Sequence, residues 1–264
     1  KWVLVFLMIT IAIFPILKKG YRKLRKSFLR RYLFYTKKEK FVFRLNDILL
    51  NLDIRDSIDR EIYFTNRYEE EQIKLLIDNI KKYKINHFID VGANIGVYAL
   101  TIAKNIPNIK VDAFEPHKGA FERMQVNVNK NNFSNIIKCH NLALSNENKE
   151  GYLWASSRFG EYQSGNAKLS PEGTMKIEQA CGDDILKDVN NTIAIKIDVE
   201  GLELLVLQGL TNLIKNNRIF LQIEIFDQEF VKTSSFLEKH NFNLIEKGTF
   251  THQDTVKDYF YINF

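Results

Sequence analysis

The chain has 264 residues, of which 45% are hydrophobic and 27% charged, with a formal net charge of +6. Its two cysteines have neither the number nor the spacing of a disulfide framework or a zinc-ligand pattern, which excludes small domains held together by either. Residues 1–40 hold twelve Lys or Arg and one acid, whereas the other residues hold 26 basic and 31 acidic side chains. Because the main part is mildly acidic, a general nucleic-acid-binding surface is also excluded.

The N-terminal leader, residues 1–35, combines an apolar run with a basic flank. Residues 2–17 carry no charge, and eight Lys or Arg lie between Lys18 and Arg31. As a helix the run measures roughly 24 Å, short of a hydrocarbon core of about 30 Å. Bulky residues stand where a signal-peptide cleavage site needs small ones.

This pattern favours a hydrophobic and basic N-terminal helix that associates with a membrane through residues 2–31. The main domain is then expected to be membrane-associated on the cytoplasmic side, where basic flanks are retained. A helix packed on the domain or on a partner is one alternative, and a signal peptide is another.

Residues 36–86 are predicted to form an N-terminal hairpin and helical cap. Residues 40–51 are typical of a hairpin with Asn46-Asp47 as its turn. Residues 56–83 are predicted to be mostly helical, because Ile73, Leu76, Ile77 and Ile80 fall on one helix face.

Residues 87–264 alternate between predicted strands and helices and form the main domain. The predicted strands are His87–Val91, Lys110–Phe114, Ile136–Leu142, Thr192–Asp198, Ile219–Ile225, Asn243–Glu246 and Tyr259–Phe264. The predicted helices are Gly96–Asn105, Lys118–Asn131, Gly201–Lys215 and Val231–His240. Short apolar strands separated by helices indicate an α/β fold with a mostly parallel sheet covered on both faces. Residues 150–181 lack a clear period and are predicted to form a hairpin and a long loop.

The first candidate site is the segment from Asp90 to Gly96, where a predicted strand runs into Gly92 and Gly96 and then a helix. Glycines let the backbone approach a ligand, and Asn94 tolerates a left-handed conformation. Asp90 stands where the dinucleotide pattern has its first glycine and where a pyrophosphate would meet a like charge. A carboxylate there fits a cationic ligand better, such as the ammonium or sulfonium of S-adenosylmethionine. An ordinary strand-to-helix turn is the alternative.

The second candidate is Glu115, which ends the next predicted strand 25 residues after Asp90. An acid at this position can accept hydrogen bonds from both hydroxyls of a ribose. Pro116 stops the strand and fixes the direction of the carboxylate. His117 follows, and it lies either over the cofactor or at the surface where a helix begins.

The third candidate is a charged strand, in which Lys196, Asp198 and Glu200 occupy alternate positions on one face. A central strand should be almost uniformly apolar, because charges buried there are unfavourable unless they pair with each other, a ligand or solvent. Gln222 and Glu224 repeat the pattern in the next strand. We therefore predict a substrate pocket here. A structural network in which Asp198 caps the following helix is the alternative.

These segments together resemble a known family. Residues 88–96, 114–116 and 143–145, with the run Ile-Lys-Ile-Asp-Val-Glu-Gly-x-Glu-x-x-Val-Leu-x-Gly at 195–209, are similar to the FkbM family of S-adenosylmethionine-dependent methyltransferases. The resemblance covers residues 40–264. It implies a Rossmann-like sheet with an antiparallel last strand at Tyr259–Phe264. It also implies O-methylation of a sugar, glycan, polyketide or similar hydroxylated small molecule.

The resemblance completes the list of expected cofactor-binding residues. The methionine side of S-adenosylmethionine is expected against Gly92, Ala93, Asn94 and Gly96, the ribose at Glu115, and the adenine against Ala143, Leu144 and Ser145. Asp90, Pro116 and His117 join them from the arguments above. A Ser-Gly-Asn at 164–166 resembles a family element near the reaction centre.

Methyl transfer is an in-line displacement in which orientation supplies most of the acceleration and a hydroxyl acceptor needs a base. Asp198, Glu200 or Glu224 is expected to take the proton, directly or through water. Lys196 is expected to hold the carboxylates or the developing alkoxide. No metal site is assigned, and a divalent cation held by the same acids is the alternative.

The expected partners are a small-molecule or glycan acceptor and a membrane, without nucleic acid, and the oligomeric state is left open. Two other functions stay open. One is a membrane-tethered cofactor-binding protein without turnover. The other is an NAD-dependent oxidoreductase, which Asp90 disfavours because it replaces the first glycine of the dinucleotide pattern.

Overall fold

The computed structural model describes residues 40–154, 157–158, 161–162, 167–187, 192–247 and 256–264. Contacts divide the chain into two units, Lys1–Phe41 and Val42–Phe264, and the description below concerns the second. The predicted leader helix and residues 164–166 lie outside the described residues. In the part of the chain that the structure describes, no helix is both long and apolar enough to cross a membrane. By this finding the predicted membrane-associated localisation is wrong.

Strands and helices alternate along the chain. The strands are β1 (Lys40–Leu45), β2 (Ile48–Asp53), β3 (His87–Val91), β4 (Lys110–Phe114), β5 (Ile137–His140), β6 (Ala143–Ser145), β7 (Lys149–Trp154), β8 (Ser157–Arg158), β9 (Glu161–Tyr162), β10 (Lys168–Leu169), β11 (Met175–Cys181), β12 (Thr192–Ile197), β13 (Arg218–Phe226), β14 (Asn243–Lys247) and β15 (Val256–Ile262). The helices are α1 (Ser57–Thr65), α2 (Glu70–Lys82), α3 (Val97–Asn105), α4 (Lys118–Lys130), α5 (Gly182–Ile185), α6 (Glu203–Gly209), α7 (Thr211–Asn216) and α8 (Phe230–Lys239).

The main sheet has seven strands in the order β14-β15-β13-β12-β3-β4-β5. β12, β13, β3, β4 and β5 run parallel, and β15 lies antiparallel between β13 and β14. The predicted Rossmann-like α/β fold with an antiparallel last strand is therefore confirmed. The order reverses between β3 and β12, and in such sheets the ligand crevice lies outside the carboxyl ends of the strands at this point.

The two faces of the sheet differ in character. On one face Ile89, Ile195 and Ile223 pack with Val206 of α6 and Leu237 of α8 in an apolar core. On the other face, which α2 and α3 cover, buried polar residues accompany the apolar ones. The charged positions of the third candidate site therefore belong to a single face.

Two segments differ from the prediction. The region predicted as a hairpin and a long loop contributes to a four-stranded sheet, β10-β7-β11-β6, and two of these strands are too short to show a period. The helix predicted at 201–215 is divided into α6 and α7. At the break a Cβ on Gly209 would lie 1.9 Å from the backbone oxygen of Ser145, so the chain there is fixed by a close approach to β6.

The β1–β2 hairpin and α1 are held against α4 by polar contacts. Asn127 of α4 and Asn131 at its C-terminal cap accept hydrogen bonds from the backbone N–H groups of Asn51 (2.6 Å) and Leu49 (2.9 Å), respectively. Arg123 of α4 forms ion pairs with Asp56 (3.4 Å) and with the fully buried Asp59. The cap and the sheet thus belong to one unit, although the predicted boundaries at 35/36 and 86/87 stay predictions.

We expect Arg123→Met to lower the free energy of unfolding by about 3 kcal/mol, because it leaves two buried carboxylates without their cation. The loss should be smaller at pH 6 than at pH 8. Burial already raises the pKa of Asp59 to about 7, and without Arg123 that pKa rises further. At pH 6 the Asp59 carboxyl is mostly protonated in both folded proteins, so the loss of the cation costs less stability. At pH 8 the unmodified chain ionises Asp59 beside Arg123, whereas the variant keeps it protonated or ionises it without a cation, and its free energy of unfolding falls further.

Urea unfolding at the two pH values measures both effects. Arg67→Met is the matched control, because the Arg67 side chain is 75% exposed in its ion pair with Glu70. A change no larger than that of the control would mean that the buried pairs contribute nothing to stability.

Candidate functional site

A cleft that is partly open to solvent lies at the carboxyl ends of β3, β4 and β12. It occupies the position where the strand order reverses, between Val91 of β3 and Asp198 after β12. Tyr68 of the cap lines it from one side and Leu153 of β7 from another. The cleft is thus built by three layers of the fold, which are the sheet, the cap and the small β7-containing sheet.

The turn after β3 brings the backbone of two strands into contact. Gly92 has φ +83°, and a Cβ there would lie 1.9 Å from the backbone oxygen of Asp198. Asn94 has φ +51° and lines the cleft with Gly92. Gly96, with φ +84°, is the N-cap of α3 and lies against Met124, outside the cleft lining. Ala93 lines a small cavity that adjoins the cleft.

Glu115 presents a buried carboxylate to the cleft. It accepts hydrogen bonds from the backbone N–H of Asn94 (2.8 Å) and of His117 (2.7 Å). Burial raises the pKa of Glu115 to about 7 in spite of these two donors. Pro116 also lines the cleft, whereas the Nδ1 of His117 accepts from the N–H of Ala120 and caps α4.

The other end of the cleft is apolar. Two predicted residues, Ala143 and Leu144, line it. Leu142 and Phe114 line it too, although the sequence analysis did not assign them. Ser145 is buried outside this lining, where its backbone meets Gly209. The faces of an aromatic base such as adenine suit these apolar side chains, and a ribose suits the neighbouring carboxylate of Glu115.

Asp90 is fully buried in β3 at the small adjoining cavity. Its Oδ2 accepts from the N–H of Ala99 (3.2 Å), while its Oδ1 has no hydrogen-bond partner among the described residues. Burial raises the pKa of Asp90 to about 6, although Lys196 in the neighbouring strand opposes the shift. A buried carboxylate oxygen without a donor is an acceptor available to a ligand.

Lys196 is buried beside Asp90 and carries the cation of the site. Its Nζ lies 2.8 Å from Oδ2 of Asp198 and 4.7 Å from the centroid of the Tyr98 ring. Burial lowers the pKa of Lys196, but the surrounding carboxylates, led by Asp198, outweigh it and raise the pKa well above the usual range. Lys196 is therefore an ammonium at any physiological pH.

Asp198 and Glu224 form a carboxyl pair at the edge of the cleft. Asp198 lines the cleft, and Glu224 lies behind it in β13 within hydrogen-bonding distance. Burial and the negative charge of Asp198 raise the pKa of Glu224 far above its usual range. The raised pKa favours a protonated Glu224 that hydrogen-bonds to an ionised Asp198. Glu200, with φ +58°, lines the cleft next to them.

Several polar residues of the site were missed by the sequence analysis. Glu203 accepts from the N–H of Gly201 (3.0 Å) and of Val199 (3.3 Å), which fastens the loop after β12, and its place in the 195–209 run was the available signal. Glu69 has φ +41° and accepts from the hydroxyl of Tyr98 (2.7 Å). The sequence analysis assigned no role to Glu69 or Tyr98, because both lie in predicted helical segments and not on the charged strands.

No group of three or more His, Cys, Asp or Glu within the described ranges is arranged to hold a metal ion. The structure brings most of the predicted residues to the cleft or to the small cavity, and it places Gly96, His117, Ser145 and Glu224 just outside the lining. Their individual roles stay predictions.

Comparison with known proteins gives consistent matches. A family model described as the methyltransferase FkbM domain matches residues 90–244. The chain is 30% identical over 161 residues to the hexuronic acid methyltransferase AglP of Haloferax volcanii, covering 60% of this chain and 63% of that protein. It thus spans less than two thirds of the length of that relative. It is also 27% identical to methyltransferase 1 of Beauveria bassiana, covering 58% of this chain and 71% of that one.

Among solved structures, TYW2 of M. jannaschii in complex with AdoMet is similar over 85% of this chain and 84% of that chain, at 11% identity and a TM-score of 0.46. Precorrin-6y C5,15-methyltransferase of Geobacter metallireducens is similar over 74% and 89%, at 11% identity and a TM-score of 0.47.

The family match makes S-adenosylmethionine the cofactor of this chain, and the residues of the cleft fit it. The buried carboxylate of Glu115 suits two ribose hydroxyls, and the free Oδ1 of Asp90 suits a cationic donor. Gly92 lines the cleft, and only a glycine there lets the turn after β3 approach the backbone of Asp198 so closely.

We expect the affinity for S-adenosylmethionine to rise about tenfold from pH 6 to pH 8. Glu115 has a pKa of about 7 without ligand, and hydroxyl donors favour its charged form, so binding releases a proton below pH 7. Calorimetric titration over this range measures the dependence.

Glu115→Gln should bind more weakly and lose this part of the pH dependence. Any titration of the cofactor itself affects both proteins equally, so the difference between them isolates Glu115. Glu122→Gln, an exposed position on α4, is the control. The same slope in Glu115→Gln and in the unmodified chain would contradict the assignment of the ribose to Glu115.

Proposed function

The chain belongs to the FkbM methyltransferase family, and we propose that it transfers the methyl group of S-adenosylmethionine to a hydroxyl of a sugar, glycan or similar small molecule. The observation that carries the proposal is the Asp198–Glu224 carboxyl pair at the edge of the cofactor cleft, next to the ammonium of Lys196. A hydroxyl that is methylated must lose its proton, and a carboxylate of this pair at the edge of the cleft supports the proposal as the proton acceptor.

The roles of the three side chains follow from their protonation. Lys196 is charged and holds one oxygen of Asp198, while the protonated Glu224 donates to the same carboxylate. Asp198 is thereby fixed in orientation and remains the negatively charged member of the pair. We assign to Asp198 the role of accepting the hydroxyl proton of the acceptor, directly or through a water molecule. Lys196 and Glu224 are its positioning residues.

The chain's other residues hold the reactants in place. Bound S-adenosylmethionine supplies an electrophilic methyl group. Glu115 orients the ribose, the Gly92 turn keeps the methionine side close to Asp198, and Leu153 and Tyr68 narrow the cleft from the opposite side. Because the groups are preoriented, most of the acceleration comes from placing the acceptor oxygen in line with the methyl group.

The nature of the acceptor is supported by charge and by similarity. The described lining of the cleft carries the acids Glu115, Asp198 and Glu200, and none of the Lys or Arg side chains of the described residues lines it. A neutral hydroxyl is therefore a better acceptor at this point than a carboxylate. The name of the Haloferax relative, a hexuronic acid methyltransferase, supports a sugar-type molecule.

The two alternatives from the sequence are not carried forward. The match to a methyltransferase family over residues 90–244 removes the basis for an NAD-dependent oxidoreductase. No finding supports a membrane-tethered protein without turnover.

We expect Asp198→Asn to reduce methyl transfer about a hundredfold or more, because the amide cannot accept the hydroxyl proton. The affinity for S-adenosylmethionine should change far less than the rate. The assay incubates the chain with isotope-labelled methyl donor and with oligosaccharides that either contain or lack hexuronic acid, followed by mass spectrometry of the product.

Asp78→Asn, at an exposed position of α2, is the matched control. Turnover by Asp198→Asn equal to that of the control would remove Asp198 from the proton-accepting role. The label should also survive mild alkali, since methyl ethers resist hydrolysis that cleaves methyl esters. Loss of the label would show transfer to a carboxylate and contradict the proposal of a hydroxyl acceptor.

A further inference from the structure

A row of charged and polar side chains crosses four strands of the sheet behind the cofactor cleft. Asp90, Lys196 and Gln222 are neighbours in register on β3, β12 and β13. Two residues after Gln222 on β13, Glu224 is paired in register with Asp258 of the antiparallel strand β15. All of these residues lie on the face covered by the cap and α3.

Hydrogen bonds connect this row to the cap. The amide of Gln222 donates to the hydroxyl of Tyr98 (3.1 Å) and reaches Oδ1 of Asp258 (3.4 Å). Tyr98 in turn donates to Glu69 (2.7 Å), and Gln72 of α2 reaches Oδ2 of Asp258 (3.4 Å). One hydrogen-bond network thus includes both Glu69 and Asp258, although 189 positions separate them in the sequence.

The backbone of Glu69 is strained in order to place its carboxylate there. It has φ +41° and ψ +44°, a left-handed conformation that a long side chain rarely adopts. It precedes α2 but makes no side-chain capping hydrogen bond to that helix, and its carboxylate binds Tyr98 instead. Strain of this kind is characteristic of functional positions rather than of ordinary helix starts.

The network carries an excess of negative charge. Among the residues that the structure describes, four carboxyl groups surround the single ammonium of Lys196: those of Glu69, Asp90, Asp198 and Asp258. These charged groups lie close enough to shift one another's pKa values. Buried like charges repel one another unless a cation joins them. The Oδ1 of Asp90 and the Oε1 of Gln222 are buried acceptors without a hydrogen-bond partner in the described part of the chain, and Asp90 lines the small cavity next to the cleft.

The charge excess lies at the methionine end of the cleft. If the adenine occupies the apolar end at Leu144 and the ribose binds Glu115, the remaining part of S-adenosylmethionine extends toward Gly92, Tyr68 and Asp198. Its sulfonium carries one positive charge, which the product S-adenosylhomocysteine lacks because methyl transfer leaves a neutral thioether.

We propose that Glu69 and Asp258, two residues outside the cleft lining, make the chain select the sulfonium of S-adenosylmethionine over the thioether of the product. The network acts on the charge and not on the shape of the cofactor. Loss of the sulfonium charge on methyl transfer then weakens the binding of the spent cofactor, which favours its release. This inference uses only the cofactor and is independent of the proposed hydroxyl acceptor.

Equilibrium binding to three ligands tests the inference without any methyl acceptor. Titration calorimetry gives Kd for S-adenosylmethionine, for S-adenosylhomocysteine, and for an analogue with an ammonium in place of the sulfonium. The unmodified chain should bind both cationic ligands more tightly than the neutral product. Glu69→Gln and Asp258→Asn should each raise Kd for the two cationic ligands about fivefold, as expected for the loss of one charge at medium range, while Kd for the product changes less than twofold.

Product binding serves as the internal check of folding, because a distorted cleft weakens all three ligands together. Glu71→Gln, an exposed acid in the first turn of α2, is the matched control for Glu69→Gln and should leave all three values unchanged. The two test positions lie on different elements, so one variant decides the question if the other does not fold. Equal changes for charged and neutral ligands, or product binding as tight as cofactor binding in the unmodified chain, would overturn the inference.

Discussion

A buried ammonium must be surrounded by opposite charge, and this requirement at Lys196 organises the site. β12 is covered on both faces, so the amine has no solvent to hydrate it. Its charge persists only because Asp198 binds it directly and Asp90 and Glu69 lie close by. Each of these acids comes from a different element, and each would be unfavourable at its position without the lysine. The cleft edge, the β3 turn and the cap are therefore electrostatically interdependent.

Backbone strain at three residues supplies the geometry that this electrostatic network needs. Asn94, Glu200 and Glu69 all have positive φ values, and each lies in a short connection next to the cleft or the network. The strands on either side hold these residues in their backbone conformations. The packing of those strands in the apolar core therefore compensates for conformations that are unfavourable in isolation. The close approach at Gly92 has the same origin, because β3 and β12 are held in register before the turn begins.

The sequence predicted the parts of this arrangement that depend on local pattern. β3 and β4 have the predicted bounds, because a short apolar strand that ends at Gly92 or Glu115 leaves little choice of register. The sequence could not place Glu69 near Lys196, since their proximity depends on how α2 packs across the sheet. The break between α6 and α7 was hidden for the same reason, because the close approach of Gly209 to Ser145 arises only in the folded chain. Charge on the central strands was a reliable signal, whereas the partners of Lys196 on the cap and helices, such as Glu69 and Tyr98, gave none.

The position of β15 has a consequence for the order in which the chain can fold. β14 precedes β15 in the sequence, yet it joins the sheet only through β15, which lies between it and β13. During synthesis β14 has no strand to pair with until Val256–Ile262 has left the ribosome and entered the sheet. The same event delivers Asp258 to the network, so a nascent chain stopped before this strand lacks both the closed sheet and the complete acidic network. Pairings of this kind are formed late, because they must wait for chain that has not yet been made.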